Sequence, residues 1–100
     1  MIPPDMIGLL GLAQRAGKVI IGTSAVSREI RRPRQTLLIV AEDFSRSTKE
    51  RLLAQAVIRP HLVEIGTMQE WGAFFGRQRV GVIAVVDKHF VAGLRQKLKL

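Results

Sequence analysis

Apolar positions along this chain switch repeatedly between helical spacing and short continuous runs. Met6, Leu9, Leu10, Ala13 and Gly17 recur at helical intervals and predict a first helix over residues 5–17. Asp5 is its expected N-cap and Gly17 its C′ residue. Gly8 and Gly11 fall inside that helix, each costing about 1 kcal/mol against alanine. Val19, Ile20 and Ile21 form a short strand, and Gly22 then leads into a second helix over residues 23–32. Pro33 ends it, because the residue before a proline is pushed out of helical geometry. At about 100° per residue, Val26 and Ile30 fall on one side of this helix. Ser24, Arg28 and Arg31 fall nearly opposite, and Arg34 continues their patch into the turn.

The run from Thr36 to Ala41 is continuously apolar after its threonine and reads as a central strand buried on both faces. Ser45 or Asp43 then caps a third helix reaching Val57, with Leu52, Leu53, Ala56 and Val57 inward and Arg46, Lys49 and Arg51 outward. Pro60 breaks the chain, and residues 61–65 make a third strand, short and near an edge. Thr67 and Glu70 have the spacing of a capping box ahead of a helix carrying Trp71, Phe74 and Phe75, which Gly76 ends. Residues 80–86 are the second buried strand. Asp87 caps a last helix with Phe90, Val91, Leu94 and Leu98 inward.

Four strands alternating with five helices predict an α/β fold: a three-layer α/β/α sandwich around a central four-stranded mixed sheet. One hundred residues correspond to one domain, 1–100, able to hide roughly 60–70% of its unfolded surface. The chain is 47% apolar with five aromatic residues, which suits an aliphatic core. It has no cysteine, hence no disulfide framework and no thiolate metal site. Residues 1–5 lack the basic start of a signal peptide, and no apolar run is long enough to cross a bilayer. A cytoplasmic protein, monomeric when free, is expected.

Charge narrows the partner. Sixteen Lys and Arg face eight Asp and Glu, a net charge of +8, and arginine predominates. Its planar fork suits phosphates and guanine edges, so a domain this small and basic points to nucleic acid. A membrane surface fits less well, since no helix pairs a basic face with large exposed aromatics.

Three constellations could carry chemistry. The Gly22-Thr23-Ser24 helix start, beside Arg28, Arg31, Arg32 and Arg34, offers backbone N–H groups and guanidinium groups to an anion. It lacks the Gly-rich spacing and the Gly-Lys-Ser/Thr ending of a P-loop. The loop of Gly76, Arg77, Gln78 and Arg79 joins a helix to a buried strand and could clamp a sugar–phosphate backbone. Glu42, Asp43 and Asp87, at the ends of two buried strands, could hold Mg²⁺, although helix capping explains them more simply. His61 and His89 are isolated and lack metal-ligand spacing, and no serine or threonine lies in a nucleophile motif. No metal or other cofactor is expected.

The residues from Gly11 to Lys18, then Gly22, then Leu38 to Asp43, then Gly72, Gly76 and Val82 to Asp87 carry a resemblance over nearly the whole chain. In order and type they resemble the ribosomal L-seven-Ae / L-thirty-e superfamily, particularly its small bacterial YlxQ-like members. The resemblance implies an α/β/α sandwich that binds kink-turn RNA, a sharply bent helix with tandem sheared G·A pairs. The contacts implied are the helix after the first strand and the loop before the last one. The family's reader pattern is Gly, any residue, Asn, Glu, two residues, then Lys. Here Gly22 matches, Arg28 keeps the charge of the Lys, and Ser24 and Ala25 stand where Asn and Glu would be. Each lost base contact is worth about 1–3 kcal/mol of discrimination, so kink-turn specificity weakens while phosphate contacts survive. Arg79 aligns with a loop position near the flipped-out nucleotide.

The resulting expectation is a non-enzymatic RNA-binding protein associated with the ribosome or RNA processing. Its expected RNA-binding residues are Lys18, Gly22, Thr23, Ser24, Arg28, Arg31, Arg32, Arg34, Arg77, Gln78 and Arg79. Two alternatives differ in class: an interaction module docking an acidic partner or a ribosomal surface, and a small Mg²⁺-dependent enzyme using Glu42, Asp43 and Asp87.

Overall fold

Two wholly buried strands divide the molecule into its layers. The computed structural model describes residues 1–100. Its elements are α1 (Pro4–Arg15), β1 (Val19–Ile21), α2 (Thr23–Glu29), β2 (Leu37–Val40), α3 (Arg46–Gln55), β3 (His61–Glu64), α4 (Met68–Phe75), β4 (Val82–Val85) and α5 (Lys88–Leu98). The sheet order is β1-β4-β2-β3. β2 pairs parallel with β3, whereas β4 runs antiparallel to both β1 and β2. The predicted three-layer α/β/α sandwich and its mixed sheet are therefore what the chain forms.

Side chains alternate across the sheet because successive Cβ atoms in a strand point to opposite faces. Leu37, Ile39, Ile83 and Val85 point one way, where Met6 and Leu10 of α1, Trp71 of α4, and Val91 and Leu94 of α5 cover them. Leu38, Val40, Val82 and Ala84 point the other way, where Val26 and Ile30 of the α2 segment and Leu52 of α3 cover them. Burial on both faces explains why β2 and β4 read as unbroken apolar runs. β3 lies at the edge, as its shortness suggested, with Leu62 and Glu64 exposed. Trp71 is fully buried, and its indole N–H donates to the Ile65 carbonyl at 2.7 Å.

Most element ends follow the sequence signals. The Thr67–Glu70 capping box is formed in both directions, and Gly76 closes α4 in the left-handed region. Gly17 N–H bonds to Gln14 O and Lys18 N–H to Ala13 O, the paired bonds of a Schellman end. Ser45, not Asp43, caps α3 by accepting from Thr48 N–H. Asp43 instead accepts from Met68 N–H at the start of α4.

Three ends differ from expectation. Asp5 does not cap α1, whose N-cap is Pro3. Pro4 fits the first helical position, where no N–H is needed, and Asp5 remains in the first turn near the positive end of the helix dipole. α2 stops at Glu29 rather than running to residue 32. Past Ile30 the chain turns, with Arg32 N–H bonding to Glu29 O and Arg34 N–H to Arg32 O. α3 stops at Gln55, since Ala56 turns extended and Val57 N–H bonds across to Ile30 O. Val57, expected inward, is consequently 61% exposed.

Candidate nucleic-acid interface

Sheet direction decides which polar residues meet. β1, β2 and β3 run one way and β4 the other, so the ends of the first three strands and the start of β4 lie together. Gly22, Ala41–Asp43, Gly66 and the 77–81 loop therefore share one end of the sheet. Gly22 N–H bonds to Val82 O, Ala41 N–H to Gly81 O, and Glu42 N–H to Gly66 O.

The two basic stretches meet at Gly22. Its φ of 95° and ψ of 160° belong to a region essentially reserved for glycine. A Cβ placed there would stand 3.9 Å from Arg77 Nη1. As N-cap, Gly22 has no side chain to offer, and the N–H groups of Thr23, Ser24 and Ala25 have no protein acceptor. Thr23, Ser24 and Arg28 are exposed, while Val26, opposite Ser24 and Arg28 on α2, is fully buried. With only seven residues, α2 contributes little dipole of its own. The positive character of this end comes mainly from arginine side chains.

The 77–79 loop is held by α4. Arg77 N–H donates to Gly72 O at 2.7 Å and Val80 N–H to Met68 O at 3.0 Å. This approach is possible because residue 72 is glycine: a Cβ would collide with Gln78 O and stand 2.8 Å from Arg77 O. Gly81 similarly makes room for the Phe44 ring. A loop pinned this way presents Arg77, Gln78 and Arg79, all exposed, from a fixed backbone. Arg79 Nη2 lies 3.6 Å from Met68 Sδ, which holds its side chain over the start of α4.

The structure sorts the remaining sequence-derived residues. Arg28, Arg32 and Arg77 are exposed and have no carboxylate within ion-pair distance. Arg31 lies beyond the helix end, where its Nε and Nη2 donate to Gln55 Oε1 at 3.1 and 2.8 Å. Ser27 donates to the same oxygen at 2.7 Å, so Gln55 ties the α2 segment to α3. Arg34 does not simply extend the patch, because its Nε and Nη2 converge on Oε2 of Glu29 at 2.7 and 2.6 Å. Glu29 is only 6% exposed, and a buried carboxylate of this kind requires a partner. Lys18 stands at the other end of β1 from Gly22, about 13 Å away at roughly 3.3 Å per residue.

The acidic trio does not assemble. Because β4 is antiparallel to β2, Asp87 lies at the opposite end of the sheet from Glu42 and Asp43. No group of three His, Cys, Asp or Glu side chains forms a possible metal cluster. Asp87 caps α5, accepting from His89 and Phe90 N–H at 2.8 and 3.2 Å. The Phe90 N–H does most to hold its carboxyl below the ordinary value of 3.8. The His89 N–H and the nearby charges of His89 and Lys18 act in the same direction, against the opposing effect of burial.

Sequence inspection placed Arg51 merely outward and passed over Thr48 and Gln55. Their spacing of three and seven residues puts all three on one side of α3, facing Ser27 and Thr23 of α2 across a polar groove. That wheel position was the available signal, and it acquires meaning only once α2 and α3 are known to be neighbours.

Comparison with known proteins gives the family and the fold. The family described as ribosomal protein L7Ae/L30e/S12e/Gadd45 matches residues 5–95. RNA-binding protein YlxQ of Bacillus subtilis (strain 168) is 32% identical over 83 residues, covering 82% of this chain and 83% of that protein. A solved structure of a protein with unknown function from Bacillus halodurans C superposes with a TM-score of 0.81 at 28% identity. That match covers 98% of this chain and all of the other.

Proposed function

From the fact that the chain belongs to the ribosomal protein L7Ae/L30e/S12e/Gadd45 family, we propose that it is a non-enzymatic RNA-binding protein, acting in the cytoplasm as a monomer on structured, kink-turn-like RNA of the ribosome or of RNA processing. The observation that carries this reading is the meeting of Gly22 and Arg77, which merges two basic stretches remote in sequence into one face. The RNA-binding name of the Bacillus subtilis relative supports the same partner.

The roles follow from side-chain chemistry. The bare backbone at Gly22, with the exposed Thr23 and Ser24, enters the groove of the bent helix. Arg28 and Arg32 contact phosphates or base edges from one side, and Arg77 and Arg79 hold the second strand from the other. Arg31 adds charge from its place on Gln55. Guanidinium groups suit this work because they remain charged and bind phosphate oxygens in pairs. Ser24 and Ala25 offer neither an amide nor a carboxylate to the sheared G·A pairs. Affinity here therefore rests on backbone contacts and RNA shape more than on base reading.

A titration comparing a kink-turn RNA with the same duplex lacking its G·A pairs tests the shape requirement. The proposal predicts binding to both, with a preference for the kinked form. Equal affinity would reduce the protein to a general structured-RNA binder, and no binding to either would refute RNA recognition.

A further inference from the structure

A groove enclosing about 350 Å³ runs between α2 and α3, beside the Gly22 face. Thr23 and Ser24 belong to both, so the groove continues the face without a break. Its other polar lining comes from Ser27, Thr48, Arg51 and Gln55, and its one apolar residue is Leu52. No carboxylate lines it. Glu50, the acidic residue of α3, lies about 100° around the helix from Arg51 and pairs with Arg46. Arg51 has no acidic partner; its Nη2 donates to Thr48 Oγ1 at 3.3 Å, which holds the guanidinium along the groove wall. The groove is braced as well, since Gln55 Oε1 accepts from both Ser27 and Arg31.

Hydroxyl groups, an amide and an unpaired guanidinium, with no acid and no aromatic surface for stacking a base, suit a sugar–phosphate backbone rather than a nucleobase. We propose that the α2–α3 groove is a second backbone-binding site, in which Arg51 takes a phosphate of the RNA strand that leaves the Gly22 face. The inference rests on the RNA-binding reading above and extends the footprint from α2 onto α3. Thr48 orients the arginine, Thr23 offers its hydroxyl to a phosphate oxygen, and Ser27 Oγ, whose proton goes to Gln55, accepts from a ribose 2′-hydroxyl. This contact adds affinity without sequence preference.

The test is a salt titration with one labelled kink-turn RNA, using the full chain and its Arg51→Ala, Arg51→Lys, Arg46→Ala and Arg77→Ala variants, each first shown by thermal melting to be folded. Arg46→Ala removes the same charge from the opposite side of α3. Arg51→Ala should weaken binding by about tenfold or more, the scale of one charge-assisted hydrogen bond, and flatten the salt slope by about one unit. Arg51→Lys should recover most of the slope, and Arg46→Ala should change neither quantity. If Arg77→Ala weakens binding while Arg51→Ala behaves like Arg46→Ala, the groove is overturned and the RNA-binding reading stands. If the unmodified chain does not bind the RNA, both fall together.

Discussion

Arg77 Nη1 lies 3.9 Å from the point where a side chain on Gly22 would begin, so a loop arginine occupies the space beside the bare start of α2. The contact depends on backbone conformation as much as on charge. Gly22 adopts a φ of 95° that an L-residue resists. Gly22→Ala should therefore lower stability by about 1–3 kcal/mol, the usual strain of that region. It should also weaken RNA binding by tilting Thr23 and Ser24 away from Arg77. Denaturant unfolding checks the first effect, and an unchanged midpoint would contradict it.

Gly72 acts on the same face at a distance. Its missing side chain lets the Arg77–Gln78 backbone lie against α4, and a methyl there would meet carbonyl oxygens that have no rotamer to yield. Gly72→Ala should destabilise the fold and lower RNA affinity together. Gly8→Ala is the contrasting case, since nothing stands within 4 Å of its added Cβ in α1. That change should raise stability by up to about 1 kcal/mol through helix propensity alone. Paired thermal melts decide: shifts of the same sign would contradict this account.

Glu29 and Arg34 form the ion pair that anchors the turn after α2. Arg34→Ala leaves a 6%-exposed carboxylate without its partner and should cost about 1–3 kcal/mol, less than a fully buried pair because Arg34 is itself half exposed. Adding Glu29→Gln should restore part of the loss, since the uncompensated charge is then gone. Arg34→Ala should alter RNA affinity less than Arg28→Ala. A double-mutant unfolding cycle with no coupling would show the pair to be idle.

Asp87 gives a pH signature. Its carboxyl is held below 3.8 chiefly by the Phe90 N–H, so the capped form favours the ionised state. A lowered folded value means that this contribution is present above the unfolded value and is lost as pH falls through the folded one. Asp87→Ala should therefore be less stable at neutral pH, and the gap should close as pH falls below 3.8. A carboxyl titration midpoint at or above 3.8, measured by NMR, would contradict this assignment.

Much of the fold was legible because its signals are local. The unbroken apolar runs of β2 and β4, the Thr67–Glu70 box and the glycines at 17 and 76 each depend on a few neighbouring residues. The early ends of α2 and α3 were not legible, because the Ile30–Val57 bond joins residues far apart in the chain whose proximity follows from packing. The sequence placed Arg34 with the free arginines because the turn that returns its guanidinium to Glu29 has no pattern of its own, and it placed Lys18 with the Gly22 site although β1 holds the two apart. It could not show that antiparallel pairing of β2 and β4 separates Asp87 from Asp43. The α2–α3 groove required both helices in place before Arg51, Thr48 and Gln55 could be seen to face Ser27.

The central claim is that Arg28 and Arg77, from two distant stretches, grip one RNA. Its most direct test is the salt dependence of binding to a kink-turn RNA for the unmodified chain, Arg28→Ala, Arg77→Ala and the double variant. The account predicts that each single change weakens binding and lowers the slope by about one unit, and that the double lowers it by about two. Slopes and affinities that match the unmodified chain in all three variants would contradict it.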